Sequence, residues 1–293
     1  MGGRPTIRVP EACGTSVLCG SAYPGESPEF APPLRPFLES AAEMMGTSHA
    51  ATGLLTGGVT GLLVTSDPVH GLVCGAVGAG AALLPDLDTP GSAVGRSLGW
   101  VTEWVAVGVQ ALSRAVYRGT STPTERRRPQ DGGHRFLTHT LPGCLAFGVL
   151  AALISLVPWG AALVVLAMSA LGLATVTGAW TFVGTARLRK RVATVTAFVP
   201  AAATLLFATG SGPVFWLVGL VVFVGSLTHV LGDWLTPSGV PLAWPFGVRG
   251  KRWWMFHAPL TLHTGRSRVE TGIAWASTAG LPVVLAVAAT APA

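Results

Sequence analysis

The sequence predicts an all-α, polytopic membrane protein of about seven transmembrane helices plus one interfacial amphipathic helix. Three observations carry this. Of the 293 residues, 50% are hydrophobic and only 11% are charged, against about 25% charged in a soluble domain. Mean hydropathy is +0.55. The apolar residues also fall in separate runs, each broken by a turn signal or an Arg-rich loop.

In chain order, residues 1–43 are rich in Pro and Gly and read as a disordered cytoplasmic tail ahead of one membrane-embedded domain, 44–293. Met44 and Met45 stand directly before the first motif and offer an alternative start. The first two spans run from about His49 to Thr65 and Val69 to Leu84, with Asp67-Pro68 as the turn. Their many glycines suit close helix approach. Ser92 to Val116 mixes Trp100, Trp104 and valines with Arg96, Glu103 and Gln110, the pattern of a helix lying in the interface. Two hairpins follow, His139–Val157 with Trp159–Val183, and Val192–Thr209 with Pro213–Leu235. A polar, Trp-rich loop, Pro237–Arg268, leads to a last span, Thr271–Ala289.

The basic loops set the orientation. Arg118 to Arg135, Arg187 to Arg191 and Arg249 to Arg268 should face the cytoplasm. Two spans separate each pair of loops, so the three assignments agree. His49, Asp86, Asp88, His134, His139, His229 and Asp233 then all fall at the cytoplasmic face. His229 and Asp233 are four residues apart, on one helical face. An ionisable group at the end of an apolar span is costly and marks a functional site.

This inventory suits one or two divalent cations, with Zn, Mn or Fe favoured by the mix of imidazole and carboxylate. Such a site could polarise a phosphoryl group and activate a water. Arg135 could grip a phosphate oxygen and also reads as a positive-inside anchor. Asp88 or Asp233 is a candidate general base. Thr138 and Thr228 each precede a His and could orient it. Asp86 and Asp88 also read as turn formers, and His49 as a helix-end residue. His70 falls at the opposite face. His257 and His263 lie in a loop expected to be mobile, and all three are set aside.

The composition argues against other classes. The net charge of +6 sets membrane orientation, and no nucleic acid is expected. Cys13, Cys19, Cys74 and Cys144 form no CxxC pair, so neither a disulfide framework nor a cysteine zinc site is indicated. There is no HExxH, GxSxG or phosphate loop. His229-x-x-x-Asp233 fits half of the type 2 phosphatidic acid phosphatase pattern, but Pro237-Ser-Gly239 is followed by Val240 where His is required.

Four segments then resemble the YdjM-type family of bacterial inner-membrane metal-dependent hydrolases, itself distantly similar to zinc-dependent phospholipase C. They are Thr47-Ser-His49, Leu84-Pro-Asp-Leu-Asp88, His134-Arg-Phe-Leu-Thr-His139, and Ser226 to Gly239 with Pro245 beyond. Phe136 stands where the family motif often has Gly. The resemblance implies metal ligation by His49, Asp86, Asp88, His134, His139, His229 and Asp233, in the bacterial inner (cytoplasmic) membrane. The expected activity is cleavage of a phosphoester of a lipid or amphiphile by a metal-activated water, with residues 92–116 as the substrate's approach. The alternative is a non-catalytic metal-binding or transport protein. The span middles carry almost no ionisable residues, which argues against an ion path.

Overall fold

The computed structural model describes residues 35–127, 130–178, 184–208, 214–261 and 268–290. The elements are α1 (Arg35–Thr65), α2 (Pro68–Ala81), α3 (Trp100–Thr120), α4 (Pro123–Arg126), α5 (Leu141–Ile154), α6 (Pro158–Gly178), α7 (Ala186–Ala208), α8 (Val214–Trp234) and α9 (Arg268–Thr290). Short 3-10 turns occupy Leu84–Asp88 and Leu137–His139. No strand occurs among the described residues beyond isolated bridges such as Val240 with Phe256. The all-α expectation holds.

Among the described residues, four helices are long and apolar enough to cross a membrane: Pro68–Asp88, Pro158–Gly178, Phe215–Trp234 and Arg268–Thr290. The other three expected spans differ from these four for local reasons. Helix α5 has 14 residues, about 21 Å at the usual rise, against an apolar slab of about 30 Å. Helix α7 opens on Arg187, Arg189, Lys190 and Arg191, which lowers its apolarity. Helix α1 starts at Arg35, inside the stretch read as tail. Pro36 is tolerated in a first turn, and the Ala, Glu, Leu and Met that follow favour helix. The rest of that tail, the Gly210–Gly212 turn, Arg128, His263 and Arg266 lie outside the described residues.

Helix α2 is the most enclosed candidate span and α9 the least. Asp67 caps α2 by accepting from the Val69 amide at 2.9 Å. Helix α2 packs on α1, α6 and α8, and α5 packs on α8. Close helix contacts here require glycine, as at Gly53 and Gly80. A Cβ on Gly53 would strike the Gly78 carbonyl of α2, and one on Gly80 would strike the Met168 carbonyl of α6. The core around α2 is built from Val77, Ala81, Val165, Val221 and Val222.

The described part of the polar loop after α8, up to Thr261, is pinned where mobility was expected. Val240 and Phe256 exchange backbone hydrogen bonds of 2.9 Å, and the Ala258 amide donates to the Trp234 carbonyl at 2.9 Å. Glu125, 3% exposed, accepts from the Trp253 amide at 2.7 Å and from the Thr122 amide and hydroxyl at 2.8 Å each. Trp253 is buried with Tyr117 and Phe136. This cluster clamps the loop against α3 and α4.

Candidate metal centre

The site begins with a helix-end problem. The last carbonyls of α2 have no helical partner, and α8 supplies donors. Ser226 Oγ donates to the Ala81 carbonyl at 3.2 Å and His229 Nδ1 to the Ala82 carbonyl at 2.8 Å. A carbonyl only accepts, so Nδ1 carries the proton, and in the neutral imidazole Nε2 presents a bare lone pair. The chain then turns through Leu84–Asp88, with Pro85 in its first turn, and delivers Asp86 to that lone pair.

His139 arrives in the same way. Thr138 Oγ1 donates to Asp88 Oδ2 at 2.7 Å and stands 3.0 Å from His139 Nδ1. With its proton given to the carboxylate, the hydroxyl accepts from Nδ1, which again leaves Nε2 bare. The two Nε2 atoms face each other at 3.3 Å. Asp86 Oδ1 lies 3.7 Å from that of His139 and 3.6 Å from that of His229. Asp233 Oδ2 lies 3.4 and 3.7 Å from the same two atoms.

Lone pairs from four residues therefore converge. Asp233 Oδ2 is buried and accepts no hydrogen bond among the described residues, a state that costs about 1–3 kcal/mol or more when nothing fills it. A divalent cation answers both facts. Bonds of about 2.0–2.2 Å place neighbouring ligand atoms of a tetrahedron about 3.3–3.6 Å apart, close to the separations observed. His139, His229 and Asp233 are almost wholly buried, and Asp86 is 27% exposed by side chain.

His49 completes a second donor group with His229 and Asp233. Its ring stacks on His229 with centroids 4.0 Å apart, and its Nε2 is 3.5 Å from Asp233 Oδ1. Gly232 makes room, since a Cβ there would come within 2.8 Å of the His49 ring. The two groups share Asp233 and also His229, whose other nitrogen is committed to Ala82. One lone pair serves one ion, so the groups are alternatives.

Around this lies a saturated layer. Asp88 is fully buried. It faces His134 Nδ1 at 2.8 Å and accepts from the Arg135 amide at 3.1 Å, Thr138 at 2.7 Å and Thr89 at 3.1 Å. Asp88 thus sits behind His139 rather than among the converging atoms, and His134, 44% exposed by side chain, stands outside them too. Burial lowers the His134 pKa, but the hydrogen bond and charge of Asp88 outweigh it, so the net shift is upward.

Arg135 holds φ +61°, a left-handed conformation that is strained for Arg. The conformation aims its amide at Asp88, while its guanidinium reaches Asp233 Oδ1 at 3.1 Å and Thr236 Oγ1 at 3.0 Å. Arg135 therefore ties the two acids together.

The structure brings Asp86, His139, His229, Asp233 and His49 together. It places Asp88, His134 and Arg135 one layer out. Thr138 orients His139 as expected. Thr228 does not orient His229; it pairs with Thr56 of α1 at 3.0 Å. Neither His70 nor His257 belongs to a candidate donor group. Sequence reasoning missed Ser226, Gly232, Thr236 and Glu125. Ser226, Gly232 and Thr236 flank His229 and Asp233 at helical or turn spacing, which was the available signal. Glu125 gave none.

Comparison with known proteins places the chain in a family. The family model described as YdjM inner membrane protein matches residues 44–292, a range that takes in every site residue above. The chain is 27% identical to the inner membrane protein YdjM of Escherichia coli (strain K12) over 194 residues, and to that of Shigella flexneri to the same extent. Those matches cover 66% of this chain and 57% of each relative, so the chain spans little more than half the length of the curated relatives it matches. No solved structure matches.

Proposed function

From the premise that the chain belongs to the YdjM inner membrane protein family, we propose that it is a metal-dependent hydrolase of the inner membrane. It would cleave a phosphoester of a lipid or amphiphile at the cytoplasmic face. The observation that carries this reading is the meeting of two bare imidazole nitrogens with Asp86 Oδ1 and the unpartnered Asp233 Oδ2. Those four residues would hold one ion, and zinc suits the donor set best. When bound, it supplies Lewis acidity to a phosphoryl oxygen and lowers the pKa of a water.

The chain's own groups divide the remaining work. Asp88 has both oxygens occupied, and Asp233 Oδ1 is engaged by Arg135. Asp86 is the one of the three acids with a partly exposed side chain, so it is the group placed to take a proton from water. This differs from the sequence expectation, which named Asp88 or Asp233. Arg135 has five N–H donors; two positions engage Asp233 and Thr236, and the others serve a phosphoryl oxygen. His49 stacks on His229 and keeps its plane.

The test is elemental analysis of detergent-purified protein, followed by assay of phosphomonoesters, phosphodiesters and phospholipids with added Zn or Mn. About one ion per chain and turnover of one ester class support the reading. One ion with no turnover of any ester favours a non-catalytic metal-binding protein. No ion at all removes the proposal.

A further inference from the structure

Helix α3 is oriented opposite to a soluble helix. Its inward face is small and polar: Ala106, Ser113 and Tyr117 are buried. Its outward face carries Trp100, Val101, Trp104, Val105 and Leu112, with Trp100 and Trp104 each more than 70% exposed. Such a face needs an apolar medium, and Trp at this density belongs to the level of lipid headgroups.

The inward face touches the ligand-bearing turns. Ser113 Oγ donates to the Gly132 carbonyl at 2.7 Å and accepts from the Leu137 amide at 3.2 Å. Helix α3 also packs against both the Leu84–Asp88 and Leu137–His139 turns. The depth of α3 is therefore the depth of the site.

At its C-terminal end stands a collar of cations. Arg252 donates to the Thr120 carbonyl at 3.3 Å and Arg126 to Ser121 Oγ at 3.4 Å. Arg249 and Lys251 lie over the Trp254 ring, 5.2 and 4.9 Å from its centroid. Arg118, Arg126, Arg249 and Arg252 are exposed. Among the described residues no carboxylate pairs with any of them; the nearby acid Glu125 is spent on Thr122 and Trp253.

We infer that α3 and this collar form a docking surface for anionic phospholipid headgroups in the leaflet on which the site opens. The outward Trp face rests among the acyl-chain tops while the collar gathers negative headgroups beside the ligand turns. The complementarity of charge selects this occupant over a neutral lipid. That such lipids are also substrates rests on the reading above; the docking itself does not.

The test uses the full chain in mixed micelles with equal phosphatidylglycerol and phosphatidylcholine, with bound lipids counted by native mass spectrometry. Wild type should retain phosphatidylglycerol in several-fold excess. The combined variant Arg118→Gln, Arg126→Gln, Arg252→Gln should lose most of that excess, by up to about fivefold per charge. Arg187→Gln, Arg189→Gln, Arg191→Gln, which removes as many charges from α7, should keep it. Equal retention of the two lipids by wild type, or an undiminished excess in the first variant, overturns the inference. Displacement of the lipid by inorganic phosphate alone also overturns it, since that marks a small-anion site. A spin label at Leu112 in otherwise native protein should relax faster with oxygen than with an aqueous nickel chelate. The reverse order would put α3 in water and sink the inference without any charge variant. Metal content is read separately, so failure here and failure of the hydrolase reading are distinguishable.

Discussion

The two ends of the α2 helix each bring a His beside an Asp, and they could hardly differ more. At its start, Asp67 and His70 come from one turn of chain, three residues apart, and both side chains are about a third exposed. At its far end, Asp86 meets His139 and His229, which arrive from separate segments and are almost wholly buried. The first pair solves a local problem, capping a helix in contact with water. The second collects imidazoles and carboxylates close enough for one cation to hold. Residue type alone does not distinguish the two; burial and the number of contributing segments do.

The largest break in this comparison should come from His229→Ala. It removes one converging nitrogen and also leaves the Ala82 carbonyl without its donor, so stoichiometric metal should be lost in elemental analysis. Next is Asp88→Asn. The residue holds Thr138, His134 and the Arg135 amide but faces no lone-pair cluster, so metal should still bind, with affinity about 10–100-fold lower, as read by chelator competition.

A smaller effect is expected from acid. Burial raises the Glu125 pKa, but the hydrogen bonds from Thr122 and Trp253 outweigh it, and the net shift is downward. A carboxylate depressed in the folded state stabilises above its unfolded pKa and loses that contribution as pH falls through the folded one. The protection factor of the Trp253 amide against hydrogen exchange should therefore be high at neutral pH and fall below the ordinary glutamate range, and Glu125→Gln should lower it at all pH. The smallest effect belongs to the other end of α2: His70→Ala should leave metal content unchanged and shift stability by less than about 1 kcal/mol. Metal loss in His70→Ala would erase the distinction between the ends.

Much of the site was legible in the sequence because the rules that revealed it are one-dimensional. Apolar runs, basic loops and the four-residue step from His229 to Asp233 fixed which residues share a face. What those rules could not give was depth within the face. Asp86 and Asp88 look alike in Leu-Pro-Asp-Leu-Asp, yet a 3-10 turn points one to the imidazoles and buries the other behind them. The length of the individual apolar helices was hidden for a related reason. Composition marks a run as apolar but does not say that α5 stops after 14 residues or that α7 begins with its cations inside the helix. Glu125 was invisible because its role depends on Trp253, which is 128 residues away.

The left-handed backbone at Arg135 decides how that residue can be interrogated. Alanine there would delete the guanidinium and keep the steric strain, so lost function could be blamed on either. Glycine would relax the dihedral at a saving of about 1 kcal/mol, keep the amide bound for Asp88, and erase only the guanidinium's bonds to Asp233 and Thr236. Lysine would retain the positive charge while giving up the planar, two-pronged grip. A glycine and lysine pair thus dissects one position into backbone, charge and shape, which truncation to a methyl group would confound.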